Sequence, residues 1–406
     1  MERPASSKFK MPKEGLMPRE EMLEVAKKQQ KLIIGIPREN HQIESRVPLT
    51  PEAVELLTLN GHQVLLESEA GIAANYQNRQ YTEMGGIIAD DRKEVFRADL
   101  VLKITPPTLE EIEMLSERST IVSSYNLVTH QDDTYIRKLM EKRATAISFE
   151  GIQDEHGCYP VVRSMSGIAG TTSVLIAAQY LSNLRGGKGV MLGGITGITP
   201  SEVVILGAGT AAEYAVRAAL GLGAIVKVFD QSIHRLRRLQ ETVGQRIPTS
   251  IFHPQVIRKA LKSADVLIGA VRLDRYHNGF FVTEDMVKEM KPGAVIVDIS
   301  IDRGGCIETS EPRTQQDPAF TRHGVVHYCV PNIPSAVSRT ASIAISNVFA
   351  PLMLNTGSVG GIETHLREDP GFRKGVYIYK GILTSQQIGE RYGIPSKDIE
   401  LLMAAF

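Results

Sequence analysis

From Leu32 onward, short runs of aliphatic and β-branched residues alternate with stretches of helical spacing, the pattern of parallel strands joined by crossover helices. The fold class it predicts is α/β, in two successive units. In the first, strands are expected at Leu32–Ile36, Gln63–Glu67, Leu100–Ile104, Thr120–Ser124 and Ala144–Ser148. Thr50-Pro51-Glu52 supplies a capping hydroxyl, a proline at the first helical position and an acid in the first turn, so a helix should start there and stop at Asn60-Gly61. A second helix is expected at Gln131–Lys142. Ser166–Leu184, rich in Ala, Ile and Leu, reads as a helix linking the two units. The second unit has expected strands at Glu202–Leu206, Ile225–Phe229, Val266–Gly269, Ala294–Ile299 and Val325–Tyr328. Beyond Pro331 helices are expected at Ala341–Asn355 and Ser385–Tyr392, and this tail is expected to pack back on the first unit. Residues 1–31 read as an N-terminal extension, structureless to about Pro18 and then a polar helix over Glu20–Gln30.

Composition narrows the partners. The 406 residues carry 46 basic and 46 acidic side chains, so no net field favours a polyanion or an anionic membrane surface, and nucleic acid is disfavoured. No run reaches the ~20 apolar residues of a membrane span, and no apolar core marks a secretory signal. The cysteines are only Cys158, Cys306 and Cys329, too few for a disulfide framework, which suits the reducing cytoplasm.

Candidate chemistry begins at Val203-Val204-Ile205-Leu206-Gly207-Ala208-Gly209-Thr210-Ala211-Ala212, a buried-strand run entering a glycine turn and a helix. Gly207 makes the tight turn, Gly209 lets the backbone approach a pyrophosphate, and Ala212 takes the small position where helix meets strand. Asp230 ends the next strand, where an acid accepts from ribose hydroxyls and repels a 2′-phosphate, so NAD is favoured over NADP. Asp298 and Asp302 follow the strand beginning at Ala294. Asp298 is expected to bond loop N–H groups, whereas Asp302, before Gly304-Gly305, is the better candidate to reach a cleft. In the first unit Arg46 and Lys103 each follow a strand, and either could meet a small anionic substrate. Taken singly, each is more often a solvated surface charge. No metal ligands are assigned.

Arg46-Val47-Pro48-Leu49-Thr50, Leu102-Lys103, Ser164-Met165-Ser166, the glycine turn, Asp298 to Cys306 and Tyr328-Cys329-Val330-Pro331-Asn332 occur in the order in which bacterial alanine dehydrogenases carry similar stretches, and from Leu32 to Pro395 the chain resembles that family. The family also includes the soluble NAD(H)-binding part of proton-translocating transhydrogenase. The resemblance implies two Rossmann-like doubly wound domains: an NAD domain at 161–338 inserted into a catalytic domain of 32–160 plus 339–406. It also implies a homo-oligomer, typically a hexamer. It makes Asp302 catalytic, places Arg46 and Lys103 on the substrate carboxylate and carbonyl, and puts Ser166 on a cofactor phosphate. Thr210, Ala211, Val271, Ile299 and Asn332 fall where the family lines its nucleotide and substrate cleft. One departure stands out. The family's active-site histidine falls on Asn126, which can hydrogen-bond but cannot exchange a proton near neutral pH, and His130 lies four residues on. Two functions follow: NAD-dependent oxidative deamination of L-alanine, with a small amino or keto acid as partner, or an NAD(H)-binding, transhydrogenase-like or catalytically silent subunit.

Overall fold

A computed structural model describes residues 29–125, 133–271 and 279–405. Asn126, His130 and residues 1–28 of the extension lie outside them. Of the expected helix Glu20–Gln30 only the last two residues are described, and they are not helical; the Gln30 N–H donates to the Gly357 carbonyl.

The first sheet contains β1 (Ile33–Ile36), β2 (Gln63–Glu67), β3 (Ile87–Ala89), β4 (Leu100–Leu102), β5 (Thr120–Ser123) and β6 (Thr145–Ser148), all parallel. The second contains β7 (Glu202–Leu206), β8 (Ile225–Phe229), β9 (Thr249–Ser250), β10 (Val266–Gly269) and β11 (Val295–Asp298), with β12 (Ala319–Arg322) and β13 (Val325–Tyr328) at one edge. Two late strands, β14 (Val376–Tyr379) and β15 (Ile382–Leu383), return to the first sheet and pair antiparallel beside β6. The strand orders are β15-β14-β6-β5-β4-β1-β2-β3 and β12-β13-β11-β10-β7-β8-β9. Each sheet therefore has the doubly wound order, reversing between β1 and β4 in one and between β7 and β10 in the other. Ligand crevices form at such reversals, outside the carboxyl ends of the strands.

The strands β3, β9, β12, β14 and β15 were not expected; β9 and β15, of two residues each, are too short to display a period. The linking helix starts earlier than expected, at Pro160, and runs to Leu181. Pro160–Leu181 and Ile333–Ser358 are both long and apolar enough to cross a membrane, although no such segment was expected from the sequence. About half of the first and 39% of the second lies inside the fold, so their apolarity serves the core. Pro160–Leu181 packs on helix Thr210–Gly221 so closely that a Cβ on Gly170 would sit 2.0 Å from the Ala211 carbonyl oxygen. Only glycine permits that approach.

Candidate functional site

The loop after β1 carries Glu39, Glu44 and Arg46 across the reversal point of the first sheet. It is tied to the chain that leaves the second sheet. Ser45, Val47 and Thr50 donate their backbone N–H groups to the hydroxyls of Ser335, Ser342 and Ser346, at 2.8, 2.9 and 3.1 Å. The Thr50 hydroxyl then accepts from Ala53 N at 3.4 Å, capping helix Pro51–Leu59.

These ties hold Arg46, 4% exposed, at the wall of a cavity of about 200 Å³. Its Nε and Nη2 donate to Glu44 at 2.8 and 2.7 Å, and Nη1 lies 3.2 Å from Met165 Sδ. Glu44 has no exposed surface. Burial pushes its pKa up, but the charge and hydrogen bonds of Arg46, with a bond from Ser335, outweigh that and hold it below the usual carboxylate range. Asn332, in a left-handed conformation at φ 64°, donates Nδ2 to the same carboxylate at 2.5 Å.

Across the cavity, β11 ends in a short 3-10 turn, Ile299–Arg303. Asp298 caps it, accepting from Ser300 N at 3.0 Å and Cys306 N at 3.1 Å, as its loop position leads one to expect. Asp302 lies in that turn and lines the cavity together with Glu150. Burial raises the Asp302 carboxyl to about 6; Arg303 beside it pulls down, and the charges of Glu150 and Asp298 push further up. Glu150 follows β6 and accepts from the Ser124 hydroxyl at 2.7 Å and Tyr125 N at 3.3 Å. Apolar wall is supplied by Phe149, Val161, Met165 and Ile333. An arginine grip, a carboxyl poised near neutrality and an apolar wall can hold a small carboxylic acid and move a proton beside it.

The glycine turn borders this space, with Ser166, Ala211, Ile299 and Asn332 lining the cavity. Gly207 has φ +103°, and a Cβ there would lie 2.4 Å from the Ala270 carbonyl oxygen. Gly209, the N-cap of helix Thr210–Gly221, has no side-chain cap, and a Cβ on it would meet nothing within 4 Å. An uncapped helix N-terminus beside open space fits a pyrophosphate. Asp230 is 3% exposed, and its oxygens accept from Ala208 N at 2.7 Å and Ser232 N at 2.8 Å, fastening the end of β8 to the turn. Val271, after β10, accepts the Ser300 hydroxyl at 2.8 Å. Ala212 is fully buried where the helix meets the strand. These residues fit NAD.

Alanine dehydrogenase/PNT family models match this chain over both halves, the N-terminal domain at residues 35–169 and the C-terminal domain at 173–386. The chain belongs to the alanine dehydrogenase/PNT family. Among its relatives, the alanine dehydrogenase of Staphylococcus saprophyticus is 37% identical over 370 residues, covering 91% of this chain and 99% of that protein. The enzyme of Bacillus subtilis is 38% identical over 363 residues, covering 89% and 95%. A solved L-alanine dehydrogenase superposes with TM-score 0.82 at 32% identity, covering 89% of this chain and 99% of that one. A transhydrogenase from Sinorhizobium meliloti, at TM-score 0.73 and 19% identity over 87% and 99%, shares the fold.

One residue expected at the site of this family member is placed otherwise. Lys103 is 3% exposed and is not among the residues lining the cavity. Its Nζ donates to Glu39 at 2.6 Å and to the Thr105 hydroxyl at 2.8 Å, with Glu111 at 3.6 Å. The ammonium is held by these counterions, and the structure does not bring it together with Arg46 and Asp302 on the cavity wall. Conversely, Glu44 and Glu150 were not anticipated as site residues. A signal for each was present: Glu44 stands two positions before Arg46, and Glu150 stands two positions after a strand.

Proposed function

We propose that this chain is an NAD-dependent amino-acid dehydrogenase that converts L-alanine reversibly to pyruvate and ammonia, with residues 161–338 as the NAD domain. The observation that carries this reading is that Arg46 and Asp302 line one small, partly apolar cavity beside the glycine turn. When bound, NAD supplies the hydride acceptor. Gly207, Gly209 and the first turn of helix Thr210–Gly221 would hold its pyrophosphate, Ser166 a phosphate oxygen, and Asp230 would set the ribose end and disfavour a 2′-phosphate.

Arg46 grips the substrate carboxylate through the side of its guanidinium that Glu44 leaves open, and so fixes the Cα. Val161, Met165 and Ile333 receive a short side chain. Asp302, ionised above a pKa of about 6, takes one proton from the substrate ammonium before Cα gives up its hydride and passes that proton to solvent; ionised again, it takes a proton from the water that adds to the iminium carbon. The same carboxyl returns a proton as ammonia leaves. Phe149 and the surrounding apolar wall limit bulk water. Asn126 lies outside the described residues and is given no step. The family supports a cytoplasmic homo-oligomer, and the free state of Cys158, Cys306 and Cys329 suits that compartment.

The test is NADH production from L-alanine, with NADH binding followed by its own fluorescence. Asp302→Asn should lower turnover by about 10²- to 10⁴-fold while NADH still binds. Tight NADH binding with no turnover of any small amino acid would overturn the enzyme and favour a hydride-transfer subunit.

A further inference from the structure

We propose that Glu44 is a positioning residue that couples the substrate grip to the nucleotide side, holding Arg46 and Asn332 on one buried carboxylate. The inference rests on the reading of Arg46 as the carboxylate grip. The geometry supplies the rest. Oε1 accepts from Arg46 N at 2.9 Å, Arg46 Nε at 2.8 Å and Ser335 Oγ at 3.1 Å; Oε2 accepts from Arg46 Nη2 at 2.7 Å and Asn332 Nδ2 at 2.5 Å. Five donors saturate the roughly four acceptor positions of a carboxylate. With no exposed surface, Glu44 acts only through these partners.

Those partners come from both units. Arg46 belongs to the loop after β1, whereas Asn332 and Ser335 lie where the chain leaves the second sheet. A buried ion pair adds little to stability that apolar packing could not supply, so a junction needing only cohesion has no need of this charge. What the carboxylate does is aim. It occupies Nε and Nη2 of Arg46, leaving Nη1 toward Met165 and the cavity, and it holds the Asn332 carboxamide at the same wall. A shift of Asn332 toward a bound nucleotide therefore reaches Arg46 through one shared atom, Oε2.

The experiment compares Glu44→Gln and the milder Ser335→Ala with the unaltered protein in three measurements: KM and kcat for L-alanine, NADH affinity by fluorescence, and melting temperature. A glutamine must present an N–H to Arg46 or Asn332, so Glu44→Gln should raise the alanine KM and the NADH Kd together. Each should change by about ten- to a hundredfold, the size of one lost hydrogen bond to a charged group. Ser335→Ala should move both in the same direction by a few-fold, which keeps the test open if Glu44→Gln does not fold. A lower melting temperature with both constants unchanged overturns the proposal, and so does a change in one constant alone. Pyruvate binding to the NADH-loaded protein, by calorimetry, separates the two readings. Unaltered protein that binds pyruvate but turns over no amino acid fails the dehydrogenase reading only, and the coupling is then read from pyruvate and NADH affinities. Turnover that is indifferent to Glu44 fails the coupling only. Unaltered protein that neither turns over an amino acid nor binds pyruvate fails both.

Discussion

Arg46 and Lys103 both sit at the reversal point of the first sheet, both are almost fully buried, and both pair with a glutamate of the loop after β1. Their surroundings nevertheless differ in kind. Glu44 takes two nitrogens of the planar guanidinium from one side and leaves the other side facing the cavity. Glu39, Thr105 and Glu111 surround the compact ammonium of Lys103. A guanidinium can serve a structural partner and a ligand at once because its donors point along separate fixed directions; two of the three ammonium donors of Lys103 are already taken by Glu39 and Thr105. The contrast sets the proposed carboxylate grip against a cation held by its own counterions, although both look alike in sequence.

Substitutions that respect charge but not shape should break the contrast at its strongest point. Arg46→Lys keeps the charge but cannot hold Glu44 and a substrate carboxylate together. We expect kcat/KM for L-alanine to fall by about a hundredfold, chiefly through KM, in steady-state assays. At the other cation, Lys103→Met leaves the buried Glu39 without its counterion, whereas Glu111 keeps Arg92. It should lower unfolding free energy by about 3 to 5 kcal/mol, read as a lower urea midpoint at unchanged slope, with little change in KM. A large rise in KM in Lys103→Met would place Lys103 in the binding machinery and dissolve the distinction.

The smallest expected effect is on pH. Glu44 is held ionised by Arg46, so the substrate grip should not titrate near neutrality. The acidic limb of the kcat profile should then report Asp302, with deamination rising as pH increases through about 6, because the base must be ionised. Arg303→Ala removes the charge that holds this carboxyl down and should move the limb to higher pH. An acidic limb unmoved by Arg303→Ala would argue against Asp302 as the titrating group.

Most of the long strands and the glycine turn were legible in the chain. Buried parallel strands of four or five residues announce themselves as apolar runs, and Gly207-Ala208-Gly209 sits between such a run and a helix. Asp302 was legible because it follows a strand end. Strands β14 and β15 were not, since β14 pairs with β6 more than 200 positions away and β15, two residues after Gly381, is laid on β14. The apolar character of Pro160–Leu181 is spread among small residues that pack on Thr210–Gly221, so it belongs to the core.

Local chemistry by itself determined the α/β class, the nucleotide turn and the candidate cations and acids, because each depends on residues close in the chain. Only the tertiary structure decided which charges face one another. Glu44 meets Asn332 across 288 positions, and Glu39 meets Lys103 across 64, distances over which no spacing rule operates. Whether a buried charge is a ligand or a brace is set by the direction from which its counterion arrives, and that direction exists only after the sheets have been brought together.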